Sequence, residues 1–448
     1  MRKLLIVLAI AFSLILTLPT FAAPKVVLPK RDTWDADMID SDISGYTGKG
    51  VYIAVLDTGL VPYWRDYFPA TSIATHLGKG FHENIQVNPQ TGELEYSGYV
   101  HETSWVGSQL STHGTHVTST IIGYNYYAPS DIYGGYPLLP PVFVKGIAPD
   151  ATIIPIKVLS DYVFPNYTEG KQLQFGTWGA VAAGIYYATE LKLQGYSPMI
   201  ISMSLGGPEP EQAIEDAIDY AIANGVIVVA SAGNAGIEGM GYPGAYEQVI
   251  STGACGWEYE WWWPNKVPPN NDPLNPPLKP RYRLWWLDDN TYEYNDIAEP
   301  TPPEDVYICN FSSRELPGQY LDVVAPGSWV RGPYPGEGDG YGRLPWWSNG
   351  LGWYHSIGGL TNFFWVGGTS MSAPHVSATA AQMLEKNPTL TQSEIETIMK
   401  ATALPIPAGS MTVWDLSPTQ DWYTYSWGDD ATGAGLLQTK AAVNAVIP

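Results

Sequence analysis

The stretch Gly367-Gly368-Thr369-Ser370-Met371-Ser372-Ala373-Pro374-His375 puts a hydroxyl where it can do chemistry. Two glycines let the backbone turn sharply with no Cβ in the way. A helical apolar pattern then runs through Ala373, Val376, Ala378, Ala380, Ala381, Met383 and Leu384 until Pro388. At the start of a helix, unbonded N–H groups and the dipole favour developing negative charge. Ser370 therefore reads as a nucleophile beside an anion site. By itself the stretch fits a plain helix N-cap made by Thr369 or Ser370 as well, so the partners decide.

A serine hydroxyl attacks poorly until a base takes its proton, and that base must be held in one tautomer by a third group. Asp57 closes the apolar run Val51-Tyr52-Ile53-Ala54-Val55-Leu56, and His113 opens a helical pattern carried by Val117, Ile121 and Ile122. Asp, His and Ser in that order are a known arrangement for nucleophilic catalysis. Asn234 follows Val226-Ile227-Val228-Val229-Ala230 and Gly233. Its side-chain amide, with the Ser370 N–H, would form an oxyanion hole, where losing one donor typically costs about 3–4 kcal/mol of transition-state stabilisation.

The elements that must position these groups alternate. Apolar strand-like runs at 51–56, 151–159, 199–205 and 226–230 are separated by helical patterns, among them 178–194 and 209–224. Such alternation predicts an α/β fold with a mostly parallel sheet. Function in such sheets collects beyond the strands' carboxyl ends, which is where Asp57, Ser204, Leu205, Gly206 and Asn234 fall. The lead-in over 24–50 reads as surface. Stretches dense in Pro, Trp and Gly, about 256–308 and 331–361, read as two aromatic-rich loop insertions.

The chain has 448 residues, enough for a full core. With 44 acidic against 22 basic residues, its formal charge of −22 argues against a nucleic-acid partner. Met1-Arg2-Lys3, the apolar run Leu4 to Leu18 and small residues at Thr20 and Ala22 predict a signal peptide over 1–22. That run is too short to span a bilayer comfortably, and no later stretch is long and apolar enough. A secreted, extracellular protein with one domain over 23–448 follows, an uncleaved anchor at the cell surface being the alternative. Cys255 and Cys309 are the only cysteines. Bracketing the first insertion of an exported protein, they are expected to form a disulfide, two buried thiols being the alternative. A zinc site needs more ligands than this pair.

Taken together, these motifs resemble those of the subtilisin-like serine peptidases, the subtilases. The matching segments are Ala54 to Gly59, His113-Gly114-Thr115-His116-Val117, Ser204-Leu205-Gly206, Ala232-Gly233-Asn234 and Gly368 to Val376. Tyr242-Pro243-Gly244, Phe311-Ser312-Ser313 and Ala325-Pro326-Gly327 also fit. The resemblance implies a three-layer α/β/α fold and an endopeptidase in which Asp57 orients His113, His113 is base and acid, Ser370 attacks, and Asn234 serves the oxyanion hole. It implies that Ser204, Leu205 and Gly206 pair with the substrate backbone as an added strand. It puts Gly233 and Gly241 at the primary specificity pocket, with room for a large apolar or aromatic side chain. Protein or peptide substrates and a monomer are expected. No cofactor is needed for the chemistry; structural calcium is open, with no ligands named. His116 and His375 read as packing residues or as hydrogen-bonding residues behind the catalytic ones, and His76, His82, His101 and His355 as solvated loop residues. The family's usual folding propeptide has no room between Ala22 and Asp57, so unaided folding or help from another chain is expected. The alternative function is a catalytically inactive subtilase fold used for binding; ester hydrolysis by the same triad is also compatible.

Overall fold

The apolar runs become neighbouring strands of one sheet. The computed structural model describes residues 32–88, 90–91, 94–126, 142–163, 172–258, 261–262, 282–283, 286–287, 297–335, 363–414 and 422–448. Its strands are β1 (Tyr52–Asp57), β2 (Lys79–Val87), β3 (Leu94–Thr103), β4 (Thr152–Lys157) and β5 (Met199–Met203). β6 (Ile227–Ser231), β7 (Ile250–Trp257), β8 (Val306–Ile308) and β9 (Val323–Pro326) follow. Their order is β8-β7-β6-β5-β1-β4-β2-β3, with β9 also paired to β7. From β7 through β2 all pairs are parallel, while β8 on β7 and β3 on β2 are antiparallel.

The main helices are α1 (Thr112–Ile122), α2 (Trp178–Leu193), α3 (Gln212–Ala223), α4 (Thr369–Lys386), α5 (Gln392–Thr402) and α6 (Thr439–Ala445). Strand side chains alternate between faces, and helices cover both, which is why these strands read as continuous apolar runs. Ile53, Val55, Ile153, Ile200 and Val229 join α1, α4, α5 and α6 in one core. Ala54, Leu56, Ile154, Ile156, Ile201 and Val228 join α2 and α3 in the other. The result is a three-layer α/β/α fold.

α4 is buried along almost its whole length. Its small residues let it lie close to the sheet, and its hydroxyls bond inside the core: Ser377 Oγ donates to Ser202 Oγ at 2.8 Å, and the Thr379 and Thr439 hydroxyls pair at 2.8 Å.

Several expectations change. The lead-in is not all surface: Trp34, Met38 and Ile39 are in the core, and Asp35 and Asp37 are buried with them. His82 and His101 face each other across the β2–β3 hairpin rather than lying in loops. The ends of the first insertion carry sheet, Gly256 and Trp257 in β7 and residues 306–308 in β8. The expected Cys255–Cys309 disulfide is not formed; both are buried thiols. Cys255 lies opposite Ile308, and the Cys309 N–H donates to Ala254 O at 2.9 Å, so the two cysteines are one step out of phase across the ladder. Neighbouring positions alternate faces, whereas a bridge needs facing Cβ atoms. The proposed signal peptide and His355 lie outside the described residues.

Candidate active site

β1 delivers Asp57, fully buried, at its carboxyl end. The Thr58 N–H donates to Asp57 Oδ1 at 2.7 Å. α1 begins against this turn, and Gly114 allows the approach: a Cβ there would sit 2.5 Å from Gly59 O and 3.0 Å from Asp57 Oδ1. Its N–H also donates to Thr58 Oγ1 at 3.0 Å. One residue earlier, His113 places Nδ1 at 2.8 and 2.9 Å from the two Asp57 carboxylate oxygens. A carboxylate only accepts, so Nδ1 carries the proton and Nε2 is left bare. Burial disfavours the charged ring, but the Asp57 charge and hydrogen bond outweigh it and hold His113 above 6.5.

Gly368, at φ 154° and ψ 153°, turns the chain into α4. Ser370 is the helix's second residue, and its N–H makes no backbone hydrogen bond among the described residues. Asn234, just past β6, accepts at Oδ1 from the Thr369 N–H (2.9 Å) and Thr369 Oγ1 (3.0 Å). A backbone N–H can only donate, so this contact identifies the oxygen, and the Asn234 NH₂ makes no hydrogen bond among the described residues. That tie between Thr369 and Asn234 was not legible in the sequence.

Ser370 Oγ rests on Ser204 O at 3.4 Å, and Ser204 Oγ donates to Ser370 O at 2.7 Å. His113 bonds through Nδ1 alone among the described residues, so the serine hydroxyl is turned toward Ser204 rather than toward the imidazole. Gly207 and Tyr242 exchange backbone bonds at 2.9 and 2.8 Å, carrying the Ser204-Leu205-Gly206 segment beside Gly241. The Gly241 N–H reaches Ala232 O at 2.8 Å, and a Cβ on Gly233 would lie 3.2 Å from Gly241 N. The structure thus brings together Asp57 with His113, Ser370 with Ser204 and, through Thr369, Asn234, and Gly233 with Gly241.

His116 and His375 stay outside this arrangement. His116 is fully buried, with Nε2 3.1 Å from Val330 O, and burial first, then the nearby His113, pushes its pKa down to about 3. His375 pairs with Asp35, a contact no local pattern announces because the partners are 340 positions apart. Among the described residues, no group of three or more His, Cys, Asp or Glu is placed to hold a metal, and no helix is long and apolar enough to cross a membrane.

The subtilase family model (peptidase S8) matches residues 48–439. Subtilisin DY from Bacillus licheniformis is 27% identical over 80% of this chain and 85% of its own length. An intracellular serine protease from Paenibacillus polymyxa is 33% identical over 47% of this chain and 51% of its own. Among solved structures, sphericase matches with a TM-score of 0.53 at 22% identity, covering 91% of this chain and 98% of that one, a likeness of fold. With the family model spanning the whole of the sheet and all of α4, the chain belongs to the subtilase family of serine peptidases.

Proposed function

We propose that the chain is a secreted endopeptidase that cleaves protein substrates through an acyl-enzyme formed on Ser370. The observation that carries this reading is His113 Nδ1 held on both oxygens of buried Asp57, which leaves Nε2 bare as a base. Ser370 Oγ leaves Ser204 O, gives its proton to His113 Nε2 and bonds to the substrate carbonyl carbon. The developing oxyanion is met by the Asn234 NH₂ and the Ser370 N–H, neither of which is engaged elsewhere among the described residues. His113 then passes the proton to the leaving amine, and a water repeats the sequence to release the acid. The Asp57 carboxylate, held on His113 Nδ1, steadies the imidazolium.

Ser204, Leu205 and Gly206 would pair with the extended substrate as a strand, and the Gly233–Gly241 region would take a large apolar or aromatic side chain. The chemistry needs no cofactor; structural calcium stays a proposal without ligands. Residues 1–22 serve export, residues 23–448 form the peptidase domain, and the enzyme acts as a monomer. The test is labelling with a fluorophosphonate beside Ser370→Ala. Adduct on Ser370, with casein cleavage lost in the variant, is expected; a folded protein that takes no label overturns the reading in favour of an inactive binding module.

A further inference from the structure

Behind the candidate site lies a second buried His–Asp contact. His375 Nε2 is 3.1 Å from Asp35 Oδ2, and the two side chains are 0% and 9% exposed. His375 Nδ1 is 2.7 Å from Met371 O, one turn earlier in α4. A carbonyl only accepts, so Nδ1 carries a proton, and one further proton lies between Nε2 and Asp35. The ring cannot flip without breaking both bonds.

The first turn of α4 needs such bracing. Pro374 has no N–H, so Ser370 O lacks its ordinary helical donor. Ser204 Oγ supplies one replacement from outside the helix. On the next residue, Met371 O is gripped by the His375 ring, which Asp35 in turn holds. Asp35 belongs to a segment with its own anchorage. Asp37 Oδ2 accepts from the Ile297 N–H at 2.8 Å, Met38 O from Thr301 Oγ1 at 2.7 Å, and Ile39 O from the Thr439 N–H at 2.8 Å.

We infer that Asp35 is a positioning residue for the reaction: through His375 it fixes the turn of α4 that presents Ser370, so full activity requires residues 34–41 to be docked. The inference rests on the reading of Ser370 as the nucleophile.

The experiment compares the full chain with Asp35→Ala, Asp35→Asn and His375→Gln. It follows kcat and KM on a peptide substrate, the rate of fluorophosphonate labelling, and amide hydrogen exchange over residues 369–376. In Asp35→Ala, kcat and labelling are expected to fall about tenfold or more, since small misplacements of a reacting group are costly. KM should stay within about twofold, and exchange should quicken. Asp35→Asn, whose amide N–H can donate to Nε2, should recover most of kcat. His375→Gln keeps a donor for Asp35 but drops the grip on Met371 O, and should lose activity as Asp35→Ala does. It also decides the matter if Asp35→Ala does not fold. Unchanged kcat in folded Asp35→Ala or His375→Gln, or a folded Asp35→Asn as impaired as the alanine variant, overturns the inference. If the unmodified protein takes no label, the proposed activity fails separately, and the exchange rates alone decide: faster exchange sustains the coupling, unchanged exchange ends it.

Discussion

Ser204 and Ser370 hold each other by the backbone: Ser204 Oγ donates to Ser370 O at 2.7 Å, and Ser370 Oγ donates to Ser204 O at 3.4 Å. The first bond fills the vacancy that Pro374 leaves in the helix. Ser204→Ala should therefore destabilise by about 1 kcal/mol, the usual net worth of such a bond, and slow labelling of Ser370. Adding Pro374→Ala restores a backbone donor to Ser370 O. The double variant should lose less stability than the sum of the single changes in urea melts; strict additivity would mean that the two groups do not serve the same carbonyl.

Asn234 has two ends with separate duties. Asn234→Asp keeps the oxygen that receives the Thr369 N–H and hydroxyl, but removes the amide donor. The variant should fold, with kcat reduced about 10²- to 10³-fold and KM little changed. A variant with near-normal kcat would place the oxyanion elsewhere.

The His113–Asp57 contact predicts opposite pH trends for stability and rate. The unfolded ring titrates near 6.5, and the folded one above it, because the Asp57 charge and hydrogen bond overcome burial. The protonated pair thus contributes stability in full below 6.5, and that contribution is lost as pH rises through the folded value. Hydrolysis needs the bare Nε2, so kcat/KM should fall as pH drops through the same value. An acid limb with its midpoint at or below 6.5, read from a pH–rate profile, would contradict this assignment.

His116 works the other way. Burial, then His113, depresses its pKa to about 3, so between 6.5 and about 3 the unfolded chain binds the extra proton. Stability from this group is present above 6.5 and falls by roughly 1.4 kcal/mol per pH unit across that window on acidification. His116→Gln retains a donor for Val330 O but cannot charge, and should shift acid unfolding to lower pH, followed by circular dichroism. An unmoved acid transition would show that other groups set it.

Glu385 closes the outer end of α4: its Oε2 accepts the Thr47, Gly48 and Lys49 N–H groups at 2.7, 2.8 and 3.2 Å. Glu385→Ala strands three donors, and a loss of about 2 kcal/mol is expected in denaturant melts. A midpoint within error of the unmodified protein would argue that water replaces the carboxylate without cost.

Asp57, Asn234 and Ser370 were readable because each stands at a punctuation mark, where a buried parallel strand ends or a helix begins beside glycine. The sheet was readable for the same reason, since strands covered on both faces leave no polar alternation. The segment Trp34-Asp35-Ala36-Asp37-Met38-Ile39 read as surface because its acids are polar by type. Their burial depends on His375 and the Ile297 N–H, partners that no local window contains. The cysteines misled for a related reason. Their position around an insertion suggested a bridge, but strand register, a one-residue matter, put them out of phase.

The place of α4 in the chain also has a bearing on how the enzyme is made. Asp57 and His113 emerge early in synthesis, with β1, β2 and β3, whereas Ser370 follows some two hundred and fifty positions after His113. The groove that receives α4 is built from β5, β6, β7 and β9, all translated before it. Its insertion closes contacts of very long sequence separation, the kind that forms late. On the role proposed for Ser370, a nascent chain stays inert toward its own maker and its neighbours until α4 has been translated.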